Sequence, residues 1–265
     1  ISTVGQSNTA STVSDAHGIS VKLSALHPRF SESQRDLCLP KLKEKVLALA
    51  ELASHHGLGL SLDAEECSRL ELTLDVFEWL CDQPSLASWS GLGFVLQAYQ
   101  KRALEVAIWL TQQAKRRPQG VMVRLVKGAY WDTEIKIAQQ KGLEDYPVFT
   151  NKIHSDLSYE ACATTLFSCP RIYCQFATHN ALTIAQILQI TSDSDQRFEL
   201  QKLHGMGDLL YAIVSERYPQ VTVRTYAPVG QHEDLLPYLV RRLLENGASG
   251  LAAGLISFLL SFLSF

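Results

Sequence analysis

The sequence predicts an α/β protein built as a (βα)8 TIM-type barrel. Short β-rich runs alternate with segments of helical periodicity, and each run ends in polar or charged residues. Such alternation is typical of a parallel sheet covered by helices. No G-x-G-x-x-G follows an early strand, which argues against a doubly wound dinucleotide fold. A chain of 265 residues also suits one barrel domain.

Seven strands are predicted, at 19–26, 58–65, 92–99, 121–130, 171–180, 198–206 and 221–230. Between them, helical periodicity is clear at 39–57 and 99–117, and the first of these helices stops at Gly57, a C-cap residue. A complete barrel of this type needs eight strands. Either one strand is hidden, or the chain begins after strand one.

The two ends of the chain differ from its middle. Residues 1–18 are polar and Ser/Thr-rich, which predicts a flexible lead-in before a barrel domain at 19–248. No signal peptide is visible, and the chain does not start with methionine, which indicates a fragment. Residues 249–265 form an apolar, uncharged tail, shorter than the about 20 residues of a membrane span. This tail is a packed helix, a surface anchor or a foreign extension.

Composition excludes several classes of protein. A net charge of −3 gives no bulk attraction to nucleic acid or acidic lipid. The six cysteines contain no C-x-x-C pair, so neither a zinc spacing nor a disulfide framework is indicated. Buried reduced thiols in a cytosolic compartment are the expected state.

Polar residues collect at the ends of the predicted strands, where a parallel barrel places its chemistry. A charge in a barrel strand is costly unless it is paired or faces a ligand, so the whole set favours a functional site. In strand order the set is Lys22, His27, Asp63, Glu65, Glu66, Gln97, Tyr99, Arg124, Lys127, Tyr130, Trp131, Thr178, His179, Asn180, His204 and Tyr226.

Taken singly, the clusters leave alternatives open. His179 in "ATHN" is a base, a metal ligand, a phosphate donor or a structural residue. "DAEE" at 63–66 suggests a metal site or a solvated helix start, and no metal site is assigned. "LHGMG" at 203–207 brings the backbone close to a ligand or turns a corner. Arg241 and Arg242 form a solvated basic face or clamp a carboxylate.

Seven motifs together are more specific. "ISVKLSALHPRF", "LDAEECSRLELTLD", "GFVLQAYQKRA", "RLVKGAYWDTEIKIAQQKGLEDYPVFTNK", "QFATHNALT", "LHGMGDLLY" and "TYAPVGQHEDLLPYLVRRLLENGA" occur in this order over about residues 19–248. They resemble the proline dehydrogenase domain of bacterial proline utilization A flavoenzymes. The resemblance implies a (βα)8 barrel that holds FAD and oxidises L-proline to Δ1-pyrroline-5-carboxylate. A hydride passes to flavin N5, and electrons pass on to a membrane quinone.

The resemblance also implies roles for individual residues. Lys22, Arg241 and Arg242 match cations that bind the substrate carboxylate, and Asp63, Ala129, Leu203 and Tyr226 match residues around the proline ring. Arg124 matches the arginine near N5, and Gln97 a residue bonded to the isoalloxazine. The other residues that the resemblance assigns to cofactor binding are Lys127, Gly128, Trp131, Thr178, His179 and Glu245. The residues expected to be catalytic are Lys22, Asp63, Arg124, Tyr226, Arg241 and Arg242.

Full-length members of that family carry a downstream aldehyde-dehydrogenase domain. Their use of quinones implies a cytoplasmic protein with peripheral contact at the inner membrane, and no nucleic-acid partner is expected for this chain. Two other interpretations remain. One is a barrel enzyme that binds phosphate without flavin, and the other is an inactive fragment whose tail drives membrane or self-association.

Overall fold

The computed structural model describes residues 1–230 together with 235 and 240. Its strands are β1 Gly18–Val21, β2 Gly59–Leu62, β3 Leu92–Gln97, β4 Val121–Val126, β5 Ile172–Ala177, β6 Phe198–Leu203 and β7 Thr222–Tyr226. Its helices are α1 Ser2–Gln6, α2 Leu23–Leu26, α3 Arg35–His55, α4 Leu70–Cys81, α5 Ala103–Arg116, α6 Trp131–Gln140, α7 Lys152–Phe167, α8 Ala181–Ile190 and α9 Asp208–Arg217. Every predicted strand is therefore present among the described residues.

The strands form one sheet in the order β1 to β7. Registers of β1 to β5 are parallel, with Val21 opposite Leu62, Phe94 opposite Val123 and Arg124 opposite Gln175. Each strand is followed by at least one helix before the next strand begins. Because neighbouring parallel strands end on the same side, their following loops converge.

The middle of the sheet is covered more completely than β1 and β7, whose residues are mostly half-buried. All residues of β2 and β3 are buried. The helices α3, α4 and α5 each contribute a buried apolar stripe. The larger buried residues of these three helices include Leu42, Val46, Leu72, Val76, Phe77, Leu80 and Leu110.

Two predicted helix boundaries change in the structure. The first helix begins at Arg35 rather than at 39, and it ends as predicted before Gly57, whose φ is +64°. The second begins at Ala103 rather than at 99. Tyr99 cannot start a helix because its N–H donates to Lys127 O (2.7 Å) and its carbonyl accepts from Phe149 N (2.8 Å).

The segment predicted as a lead-in contains structure of its own. Helix α1 lies within it, and β1 begins at Gly18. The Asn8 side-chain amide donates to His56 O at 3.0 Å, and Ala16 is buried. The segment therefore contacts the end of α3. The tail at 249–265 lies outside the described residues.

The chain divides into two compact units, Ile1–Leu200 and Gln201–Phe265. The first holds β1 to β5 and helices α1 to α8, and the second holds α9 and β7, with β6 on the boundary. Among the described residues, no helix is both long and apolar enough to cross a bilayer.

Candidate active site

Three charged side chains of the first unit share the carboxyl ends of β1, β2 and β4. Lys22 follows β1 and Asp63 follows β2, and Asp63 N donates to Val21 O at 2.9 Å. Arg124 lies within β4, and its Nη1 donates to Ser20 Oγ of β1 at 3.1 Å. Since β2 and β3 lie between β1 and β4, this bond crosses the interior side of the sheet. Two cations and one carboxylate therefore face a common region.

Burial and charge shift the pKa of Asp63 in opposite directions. Desolvation raises the pKa of this carboxyl above its ordinary value, while the nearby charges of Arg124 and Lys22 lower it. The net direction is upward. The site thus holds a carboxylate that is costly to ionise despite two cations beside it.

Lys22 shows the reverse balance. Desolvation lowers the pKa of its ammonium, but the hydrogen bond to Tyr130 and the charges of Asp63 and Glu65 raise it, and the net shift is upward. Its Nζ donates to Tyr130 Oη at 2.7 Å and lies 5.4 Å from the centre of the Tyr130 ring. Lys22 is therefore held as a cation.

Tyr130 is a functional candidate to which the sequence assigned no role. It stood among the strand-end residues, and its pairing with Lys22 links positions 108 residues apart. The sequence signal was the aromatic pair Tyr130–Trp131 directly behind an apolar strand.

Gln97, at the end of β3, connects the loops on either side of it. It is 3% exposed. Its Nε2 donates to Glu65 O at 2.9 Å, and its Oε1 accepts from Ala129 N at 3.3 Å. Each amide atom keeps further hydrogen-bonding capacity, so the predicted bond to a cofactor is chemically compatible with these contacts.

The acidic cluster at 63–66 is tied to an arginine. Buried Glu65 accepts from Ser24 N at 3.0 Å and forms an ion pair with Arg69 Nη1 at 2.7 Å. Glu66 pairs with Arg69 Nε at 3.2 Å. Across the described part of the chain, no three His, Cys, Asp or Glu side chains are grouped as a metal site would require.

The loop after β4 carries Lys127, Gly128 and Ala129, and it leads into Trp131, the first residue of α6. Lys127 Nζ pairs with Asp156 Oδ1 on α7. Gly128 has a φ of +143°, and a Cβ there would meet the Tyr99 ring at 2.5 Å. Trp131 Nε1 donates to Phe149 O at 2.8 Å, while the side chain is 43% exposed. The loop thus presents a cation and an exposed indole.

The loop after β5 prepares the beginning of α8. Thr178 Oγ1 accepts from Asn180 N at 3.1 Å, and Asn180 caps the helix by accepting from Thr183 N at 3.0 Å. His179 is half-buried between them. Because β4 and β5 are paired, this helix start and Lys127 follow neighbouring strands. Helix N-termini and lysines both suit phosphate groups.

The predicted residues of the second unit end β6 and β7. Leu203 is the last residue of β6 and Tyr226 the last of β7, and His204 N donates to Tyr226 O at 2.8 Å. Gly205 and Gly207, with φ of +75° and +69°, turn the chain into α9. "LHGMG" therefore does turn a corner. Arg241, Arg242 and Glu245 lie outside the described residues.

The family is decided by comparison with known proteins. The family model described as proline dehydrogenase matches residues 1–251. The chain belongs to the proline dehydrogenase family.

Relatives of this family are similar along most of the chain. The bifunctional protein PutA of Salmonella typhimurium is 49% identical over 256 residues, which are 94% of this chain and 19% of the relative. PutA of Rhizobium meliloti is 51% identical over 238 residues, 88% of this chain and 19% of the relative. The chain thus spans about a fifth of the length of the curated relatives it matches.

Solved structures of the family share the fold. A crystal structure of a bifunctional proline utilization A protein is 52% identical, with a TM-score of 0.90, over 94% of this chain and 25% of that one. The structure from Bdellovibrio bacteriovorus, inactivated by N-propargylglycine, is 36% identical with a TM-score of 0.82 over 87% of this chain and 24% of that one. The predicted (βα)8 barrel class is confirmed.

Proposed function

We propose that this chain is an FAD-dependent proline dehydrogenase domain that oxidises L-proline to Δ1-pyrroline-5-carboxylate. Its central support is the pair of cations, Lys22 and Arg124, converging beside Asp63 in a chain that belongs to the proline dehydrogenase family. FAD held by Arg124, Gln97 and Lys127 would supply the two-electron acceptor for the hydride that proline loses, and the ring nitrogen of proline would release a proton.

The described residues fit such a cofactor at both of its ends. Arg124 offers a fixed positive charge in the partly buried interior, suited to a flavin ring that gains negative charge. Gln97 ends the neighbouring strand β3, and Gly128 has no side chain that would collide with the Tyr99 ring. Lys127 and the start of α8, with Thr178 and His179, suit the phosphates, and the exposed Trp131 suits the dinucleotide. Glu245 belongs to this set by resemblance alone.

Lys22 is the substrate-binding residue that the geometry supports best. Its ammonium stays protonated and is oriented by Tyr130. It would bind the proline carboxylate together with Arg241 and Arg242, which fixes the ring for reaction. Ala129, Leu203, Tyr226 and Asp63 complete the surroundings of the ring in this proposal.

The intact protein would extend beyond this domain. Its relatives are named bifunctional and are about five times longer, which supports a downstream aldehyde-dehydrogenase domain. We propose a cytoplasmic protein that passes electrons to a quinone through peripheral contact with the inner membrane.

The visible spectrum of the purified chain tests the proposal. We expect flavin absorbance that bleaches when L-proline is added without oxygen. A colourless protein would favour a phosphate-binding barrel. A yellow protein that proline cannot reduce would leave the cofactor and remove the activity. Solubility that depends on detergent, with neither flavin nor turnover, would indicate an inactive fragment.

Replacing Lys22 tests its role separately. Lys22→Met should raise the KM for proline by roughly 10- to 100-fold, because a charge-assisted bond to the carboxylate is lost. Flavin content should not change. Lys41→Met, on the exposed surface of α3, is the matched control and should leave KM unaltered. Loss of flavin from Lys22→Met would contradict the assignment.

A further inference from the structure

Glu134 is a buried carboxylate that the proposed reaction does not use. It lies in the first turn of α6 and is 4% exposed. Its Oε1 accepts the N–H of Cys67 at 2.7 Å. Burying a carboxylate is expensive unless hydrogen bonds compensate. An apolar side chain would fill the same space without the cost of burying a carboxylate. The hydrogen bond to Cys67 is therefore the feature that distinguishes Glu134 from a packing residue.

The contact joins three separate loops above the strand ends. Cys67 opens the short turn that follows Asp63 and the acidic cluster after β2. The Cys67 carbonyl accepts from Arg102 Nη2 at 2.8 Å, and Arg102 also pairs with Glu71. Arg102 directly precedes α5, which follows β3. Glu134 thus fastens the start of α6 to the turn after β2, and Arg102 connects that turn to the start of α5.

Tyr99 fills the space between these loops. It is 3% exposed, and it packs in a cluster with Cys67 and Val148. Burial raises the pKa of its phenol, and the Cys67 thiol and the Glu134 carboxylate raise it further. The hydroxyl therefore stays neutral beneath the loop after β4, with its ring against Gly128.

Tyr130 is consequently held from two sides. The Glu134 N–H donates to Tyr130 O at 2.9 Å in the first turn of α6. The Tyr130 hydroxyl accepts from Lys22 Nζ at 2.7 Å. A displacement of α6 at Glu134 would therefore move the phenol and, with it, the ammonium of Lys22.

We propose that Glu134 is a positioning residue: by holding α6 on the Cys67 turn, it fixes Tyr130 and through it the Lys22 ammonium that receives the substrate carboxylate. The inference rests on the proposed function, since it assigns Lys22 to the carboxylate. It adds a residue outside the sets proposed to bind the substrate and the cofactor. Its effect is on binding and not on the reacting atoms.

Variants of the flavin-loaded chain test this role. Glu134→Ala should raise the KM for proline roughly tenfold, with kcat within about twofold and flavin content unchanged. Glu134→Gln should restore KM, because the amide oxygen accepts the same Cys67 N–H. Calorimetry with cyclopentanecarboxylate, which has the ring and the carboxylate of proline but no amine, should show the same order of affinities without turnover. Glu144→Ala, in the exposed loop after α6, is the control.

A double-mutant cycle shows whether the effect passes through Tyr130. In a Tyr130→Phe background, where Lys22 has lost its partner, Glu134→Ala should raise KM little further. An undiminished rise in that background would overturn the proposal, as would equal losses of kcat and flavin. If Glu134→Ala does not fold, Glu134→Asp replaces it, and an unchanged KM in that variant would also refute the role. A wild-type chain that proline cannot reduce instead refutes the proposed function, while calorimetry still ranks the Glu134 variants.

Discussion

At the scale of single residues, the burial of Asp63 makes ionisation of its carboxyl group unfavourable for folding. Burial raises its pKa, so the folded protein binds this proton at higher pH than the unfolded chain does. Its contribution to stability is complete below the unfolded pKa and is lost as the pH rises through the folded pKa. Above its folded-state pKa the ionised carboxylate therefore opposes folding, which is a cost typical of functional sites.

Asp63→Asn should accordingly stabilise the protein at pH 7, by on the order of 2 °C in melting temperature. The gain should shrink as the pH is lowered through the raised folded-state pKa of Asp63, where the carboxyl takes up its proton. Thermal unfolding, monitored by circular dichroism, measures the gain in melting temperature at pH 7 and its decrease at lower pH. Asp145→Asn is the control of opposite sign, because the hydrogen bond from Lys101 lowers the pKa of Asp145. A lower melting temperature for Asp63→Asn at pH 7 would refute the argument.

Gly128 is required by both conformation and space. Its φ of +143° lies in a region that L side chains avoid, and a Cβ would stand 2.5 Å from the Tyr99 ring. Gly128→Ala should cost about 2–4 kcal/mol in the free energy of unfolding. Gly142→Ala shares a positive φ, +60°, but has no atom within 4 Å of the added Cβ. It should cost only about 1–2 kcal/mol. Urea unfolding of both variants makes the comparison, and equal costs would show that the ring is not in the way.

Elements at the opposite end of the strands are joined by Arg117, just after α5. The side chain is 2% exposed. It donates to the carbonyls of Gly120 (3.0 Å), Cys81 (3.2 Å), Leu86 (2.9 Å) and Trp89 (2.9 Å). Burial lowers the pKa of the guanidinium, with Cys81 and Asp82 opposing the shift. The planar guanidinium group of Arg117 thus connects the end of α4 and the following turn to the residue before β4.

Arg117→Lys should destabilise the protein by about 2–4 kcal/mol, because a point-like ammonium cannot span these carbonyls. Flavin binding and the KM for proline should be retained in the folded fraction, since Arg117 lies before β4 and the site follows the strands. Denaturant unfolding and flavin content are the measurements. Arg116→Lys, with a side chain 49% exposed, is the control and should change stability by less than about 0.5 kcal/mol. Similar losses in both variants would contradict the role of Arg117.

At the scale of the whole molecule, the six cysteines confirm the predicted buried, reduced thiols: Cys38, Cys67, Cys81, Cys162, Cys169 and Cys174 are all buried and free. Burial raises the pKa of Cys162 to about 11 and that of Cys81 to about 12. Thiolate, the reactive form, is therefore scarce at neutral pH.

A thiol reagent such as Ellman's reagent should consequently label almost no cysteine in the native protein at pH 7.5 and all of them after unfolding in guanidinium. The number of labelled thiols follows from the absorbance of the released chromophore. Rapid labelling of one or more thiols without denaturant would show that the first unit opens more readily than its burial indicates.

The sequence alone determined the strands, the polar residues at their ends and the stop at Gly57, because hydrophobic runs and glycine conformation are local properties of the chain. The resemblance of ordered motifs supplied the family. The tertiary structure determined the long-range contacts, which the hydrophobic periodicity of the sequence cannot predict. Helix α5 starts late because Tyr99 bonds to Lys127 and Phe149. Lys22 meets Tyr130 across 108 residues, and Glu134 is buried although it sits in a polar helical turn. These contacts exist only once parallel strands bring distant loops to one edge of the sheet, so no local pattern encodes them.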